Sequence, residues 1–268
     1  IASGAVLNLD GNTGVASGTT TFDGTGTLRI TGGTFANETP NDPKGDGRDI
    51  SMVLDAGAVI DVQSGATMYN GGWQAITWTN NKASLNMDGS FNPWEGNPVF
   101  VEALTGAGTV SGATGRTLTV GVDDGSGTFT GALTGVMGLT KSGTDGTGSQ
   151  TLSGTISYTG ATTVNNGTLV VSGQSYFNVG RMTTVASGAV LELNNSNNSF
   201  NSLMPVSTVT GAGTFRLSGN STIYQEENGV NGTRLTFAMN SGGLIDLQGT
   251  SRLTNGGWGE MNWTNNKA

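Results

Sequence analysis

The 268-residue sequence contains no cysteine and no histidine. Without cysteine there is no disulfide framework and no thiolate-ligated metal, a usage that fits bacterial surface proteins which cross membranes unfolded. Without histidine, the usual base that activates a nucleophilic serine is missing. None of Lys44, Lys82, Lys141 or Lys267 stands in a Ser-x-x-Lys arrangement, so serine hydrolysis is excluded as a reading. Charge is scarce, at 11% of residues, and the 11 basic residues against 19 acidic ones give a net charge of -8. Nothing supplies the basic stripe that a nucleic acid requires. No apolar run approaches the length of a membrane-spanning helix, no leader peptide is legible, and no stretch has the period of an amphipathic helix. The first residues, Ile1 to Leu7, are already repeat text, so the sequence reads as a window cut from a longer protein.

What is abundant is glycine, at 46 residues, together with Thr, Ser and Asn, against only 5 prolines. This is the composition of many short strands closed by tight turns, without the three-residue period of collagen. A hydrophobic content of 34% is low for a globular core. It suffices for a solenoid, whose narrow interior takes one residue in two along each strand.

A long duplication organises the chain. Ile1-Ala2-Ser3-Gly4-Ala5-Val6-Leu7-Asn8-Leu9 returns as Val185-Ala186-Ser187-Gly188-Ala189-Val190-Leu191-Glu192-Leu193. Trp78-Thr79-Asn80-Asn81-Lys82-Ala83 returns as Trp263-Thr264-Asn265-Asn266-Lys267-Ala268. The copies therefore span residues 1–83 and 185–268, and the repeat-like segment 138–173 lies between them. Inside the long period sits a short one. Leu-x-apolar pairs begin at Leu7 and Leu28, and again at Leu169, Leu191, Phe215 and Leu235, in steps of 21, then 22, 24 and 20 residues.

The segment 138–173 is similar to the autotransporter-associated β-strand repeat. The likeness rests on Gly138-Leu139-Thr140-Lys141-Ser142-Gly143 and on Tyr158-Thr159-Gly160-Ala161-Thr162-Thr163-Val164-Asn165-Asn166-Gly167-Thr168-Leu169-Val170-Val171, about an eighth of the chain. The resemblance implies a right-handed parallel β-helix on a bacterial surface, and no chemistry, because the repeat is a scaffold signature.

Together these features predict a single right-handed parallel β-helix over residues 1–268 with lateral loops and no internal domain boundary. At roughly 22 residues per coil and a rise of about 4.8 Å, it would have about twelve coils over about 58 Å. Antiparallel sheets packed as a sandwich are the main alternative. The expected interior residues are Leu7, Leu9, Leu28, Ile30, Ile60, Val62, Leu118, Val120, Leu169, Val171, Leu191, Leu193, Phe215, Leu217, Ile245 and Leu247.

Three constellations invite chemistry. Paired carboxylates, the working groups of β-helix glycosidases and lyases, are offered by Asp55 with Asp61, Asp123 with Asp124, and Glu226 with Glu227. Solvated turns and strand edges are the favoured account of these pairs. Asp42, Asp46 and Asp49 crowd one loop as candidate ligands for a structural Ca2+, although the spacing is not that of an EF-hand and the second copy carries no Asp there. Trp73, Trp78, Trp258 and Trp263 are four of the five tryptophans and recur between the copies. They could stack on sugar rings, or they could be indoles folded in to seal the side of the solenoid. The expected function is a non-enzymatic structural or adhesive segment of a secreted bacterial surface fibre, with neighbouring copies or coils stacked end to end. The alternatives are a carbohydrate-binding surface β-helix and a polysaccharide-active enzyme.

Overall fold

The computed structural model describes residues 1–12, 18–36, 49–70, 76–93, 97–173, 182–200, 207–225, 235–254, 261–263 and 265–268. Among them every strand pairing is parallel, and no helix is present, so none is long and apolar enough to cross a membrane. Parallel neighbours twenty or thirty residues apart in sequence cannot arise from hairpins. The chain is a parallel β-solenoid, and the sandwich alternative falls.

Three sheets run along the solenoid, each receiving one strand per turn. A representative turn is Gly138–Lys141, Ser149–Leu152 and Thr155–Ile156, after which Thr162–Val164 returns to pair with Gly138–Lys141. The second sheet contains the longest unbroken ladder, seven strands and about seven turns from Val99–Val101 to Leu235–Met239. The first sheet is a five-stranded ladder beginning at Val6–Leu9, joined to a six-stranded one ending at Leu244–Leu247 by the bridge between Gly106 and Phe129.

Eleven strands on that face are fewer than the twelve coils expected from a constant step. The registers show why: partners are as close as 19 residues at Asn86 and Thr105, but 32 apart at Arg29 and Asp61 and 30 apart at Arg216 and Asp246. Surplus chain leaves the ladder as lateral excursions, which a solenoid tolerates because the stacked strands do not feel their length. The step from Phe215 to Leu235 is likewise not a turn of one face. Phe215 pairs with Ile245, while Leu235 lies on the second sheet opposite Ser207.

The interior is one continuous apolar cluster, in which Leu28, Ile60, Leu118, Leu169, Leu191 and Phe215 are fully buried. Alternation along each strand produces it: in Thr168–Ser172, Leu169 and Val171 point in while their neighbours face out. Close stacking of coils demands glycine at matching corners of the two copies. A Cβ at Gly26 would come within 2.4 Å of the Ala2 carbonyl oxygen, and one at Gly213 within 2.2 Å of that of Ala186. Asparagine serves where the chain turns through the left-handed region, with φ of 64° at both Asn80 and Asn265 and 49° at Asn195.

Four expected interior residues are corrected. Leu7 and Leu247 are 39% and 48% exposed, and Leu9 and Ile245 are only half-buried. They belong to Val6–Leu9 and Leu244–Leu247, the outermost strands of their sheet, which have a neighbouring coil on one side only. Their counterparts in the other copy, Leu191, Leu193, Ile60 and Val62, have coils on both sides and are buried.

Candidate functional site

Trp78 lies inside the solenoid. It is fully buried 6.1 Å from the Phe91 ring, and its indole N–H donates to Asn70 Oδ1 at 3.2 Å. Asn70, itself buried, donates onward from Nδ2 to the Asn97 carbonyl at 3.0 Å. Burying an indole requires a partner for its N–H, and the asparagine that opens the Asn70-Gly71-Gly72-Trp73 motif supplies it. An indole so enclosed presents no face to a sugar ring. Its counterpart Trp263 is 39% exposed and stacks on Phe237, ring centroids 4.9 Å apart. Trp73 and Trp258 lie outside the described residues.

Of the aspartates proposed for calcium, Asp42 and Asp46 also lie outside the described residues. Asp49 opens the strand Asp49–Leu54, where it is exposed opposite Thr19. Among the described residues no group of three or more acidic side chains is gathered as a metal cage.

The carboxylate pairs separate into different roles. Asp55 is an exposed corner, whereas Asp61 is buried on the outer side of the first sheet and receives three donors: Arg29 Nε at 2.8 Å, Gln63 Nε2 at 2.7 Å and Asn86 Nδ2 at 2.9 Å. Burial pushes its pKa up, but the bonds from Asn86, Arg29 and Gln63 outweigh it and hold the carboxyl below the usual aspartate value. The second copy repeats the device: Arg216 Nε reaches Asp246 at 2.8 Å and Gln248 Nε2 reaches it at 2.8 Å. Glu226 and Glu227 lie outside the described residues.

Asp123 and Asp124 stand at a corner where successive coils stack. Asp123 pairs with Lys82 at 3.1 Å, and its backbone N–H donates to Glu102 at 2.7 Å. Asp124, with φ of 65°, accepts from the Thr144 hydroxyl and from the backbone N–H groups of Thr144, Asp145 and Gly146 in the next coil. Those bonds, the Thr144 hydroxyl first, lower its pKa to about 2. An anion so committed cannot shuttle protons near neutrality; it ties one corner to the next. Burial acts the other way on Glu102 and raises its pKa.

Among the buried polar residues that sequence reasoning missed are Lys141 and Gln150. Lys141 occupies an inward position between Val120 and Val164, fully buried, with its ammonium turned to the carbonyls of Ser142 and Asn166. Desolvation lowers its pKa, opposed by the charges of Asp124 and Glu102. Its place in Gly-Leu-Thr-Lys, one residue beyond an alternating pair, was the available signal. Gln150 sits opposite Gly127 and reaches across to Leu104, accepting from its N–H at 2.9 Å and donating to its carbonyl at 2.8 Å. The side-chain amide thereby pairs the Leu104 backbone at the junction of the five-stranded and six-stranded ladders. Only the glycine opposite it hinted at that path, since a Cβ on Gly127 would stand 2.7 Å from the Leu104 oxygen.

Asp61, Asp246, Asp123 and Asp124 are thus each bound by donors from other coils. Comparison with family models, with curated proteins and with solved structures found no match.

Proposed function

We propose that the chain is a segment of a long, repetitive, right-handed β-helical rod on a bacterial surface or in its surroundings, similar in kind to autotransporter passengers, and that its role is mechanical: reach, adhesion or matrix building. The handedness follows the strong preference of parallel crossovers for right-handed connections. One observation carries the reading. The two copies, about 185 residues apart, repeat the same ion pair on the outer side of one face of a parallel solenoid, Arg29 with Asp61 and Arg216 with Asp246, both at 2.8 Å. A unit repeated in this way adds coils without setting a final number of turns. The carbohydrate-binding alternative loses one of its four indoles to the core. Immunogold electron microscopy of the native material tests the proposal. Long rods of uniform width outside the cell are expected, and compact, isolated particles would refute it.

A further inference from the structure

The corner between Thr162–Val164 and Thr168–Ser172 carries the dipeptide Asn166-Gly167, to which a mechanical role assigns no task. Gly167 is buried with φ of 66°, and its N–H donates at 2.9 Å to Oδ1 of Asn166, the side chain immediately before it. Asn166 Cγ lies one C=O length, about 1.23 Å, from that oxygen, and so within about 4.1 Å of the Gly167 nitrogen. Those are the two atoms that join when an asparagine side chain closes on the following peptide nitrogen.

A buried cation stands at the same peptide. The Lys141 ammonium turns to the carbonyl oxygen of Asn166 at 3.4 Å, and also to that of Ser142. Ring closure requires the Gly167 N–H to lose its proton, and the charge of the resulting amide anion is shared with that Asn166 oxygen. A fixed ammonium there stabilises the anion as it forms, in a setting that holds little water. Only glycine permits the approach: a Cβ on Gly167 would stand 2.2 Å from the Gly148 carbonyl oxygen and 2.9 Å from Lys141 Nζ. Asn166 is itself half-buried, and its Nδ2, the group that must leave, donates to no partner among the described residues.

Asn70, which precedes Gly71, supplies the contrast. Its Oδ1 accepts from the Trp78 indole and its Nδ2 donates to the Asn97 carbonyl, so both ends of that buried amide are held. The other Asn-Gly pairs, at Asn228, Asn231 and Asn255, lie outside the described residues.

We infer that Asn166 is a site of self-modification, at which the Gly167 nitrogen displaces ammonia from the Asn166 side chain and water then opens the ring to leave a carboxylate beside Lys141. In the first step solvent base removes the N–H proton, the nitrogen lone pair forms the bond to Cγ, the Cγ–Nδ2 bond breaks, and Nδ2 leaves as ammonia with a proton returned by solvent. In the second, water adds to one of the two ring carbonyls and the C–N bond at that carbon breaks, giving aspartate or isoaspartate. Lys141 has no ion pair among the described residues, and an unpaired buried cation is costly. The new carboxylate offsets that cost. This chemistry belongs to the corner and does not depend on the rod.

The test is peptide mapping by mass spectrometry of the chain held at mildly alkaline pH in water enriched in heavy oxygen. Residue 166 is expected to exchange amide for acid with uptake of solvent oxygen, faster in the folded chain than in the same chain in guanidinium chloride, while Asn70 of the folded chain stays an amide. Lys141→Met, shown by circular dichroism to be folded, should slow the reaction at Asn166 by about tenfold or more, through loss of the charge that meets the developing anion. Conversion of Asn166 no faster in the folded chain than in denaturant, equal conversion of Asn70, or an unchanged rate in folded Lys141→Met would each overturn the inference. If Lys141→Met does not fold, the comparison of folded and denatured parent chain decides alone.

Discussion

At the residue scale, burial is decided by position along the rod as much as by side-chain type. Trp78 and Trp263 occupy identical text, yet one is enclosed and the other is 39% exposed. Trp78→Ala should cost about 3 to 5 kcal/mol in chemical unfolding, the range for emptying an enclosed aromatic site. Trp263→Ala, measured at low protein concentration, should cost less than half as much. Equal costs would contradict the assignment of these indoles to inner and outer coils. Lys141 offers a test by pH. Its folded-state pKa lies below 10.5, so the folded protein gives up this proton at a lower pH than the unfolded chain does. Between those two values the unfolded state binds more protons, and stability rises with pH across that window. Urea midpoints of Lys141→Met should lack that rise relative to the parent chain, and an identical alkaline slope in both would contradict it.

At the scale of the strand, register explains what was legible and what was not. Alternation alone places Leu28 with Ile30, Ile60 with Val62 and Leu169 with Val171, because a parallel ladder keeps each residue on one face and each position above its like. The left-handed corners at Asn80, Asn195 and Asn265 fall on the residue type that, after glycine, adopts that backbone most cheaply. Trp78 was open to either reading, because its environment is made by a turn of chain not adjacent in sequence. Gln150 was missed for a similar reason: its partner Leu104 lies 46 residues away, two coils back. Replacing it by leucine leaves both the N–H and the C=O of Leu104 buried and unpaired. Gln150→Leu should therefore lose about 2 kcal/mol or more in equilibrium unfolding, despite the gain in apolar character. A neutral result would show that the amide is not what holds the two ladders together.

At the scale of the whole molecule, the duplication acquires a physical sense. Two copies about 185 residues apart place the same ion pair, Arg29 with Asp61 and Arg216 with Asp246, both at 2.8 Å, on the outer side of the same face. They place the same tryptophan against the same side of the interior, beside the equivalent bridges of Ser51 with Thr77 and Thr236 with Asn262. Repetition of this kind builds length, since each coil contacts only its neighbours and nothing in the fold sets a final number of turns. The measurement that tests this most directly is cryo-electron microscopy of the native material, following the strand spacing along the solenoid. Continuous parallel rungs at about 4.8 Å, carried across the Gly106–Phe129 bridge from one ladder of the first face to the other, are the predicted result. Antiparallel strands, or a break in the rungs between the two ladders, would contradict it.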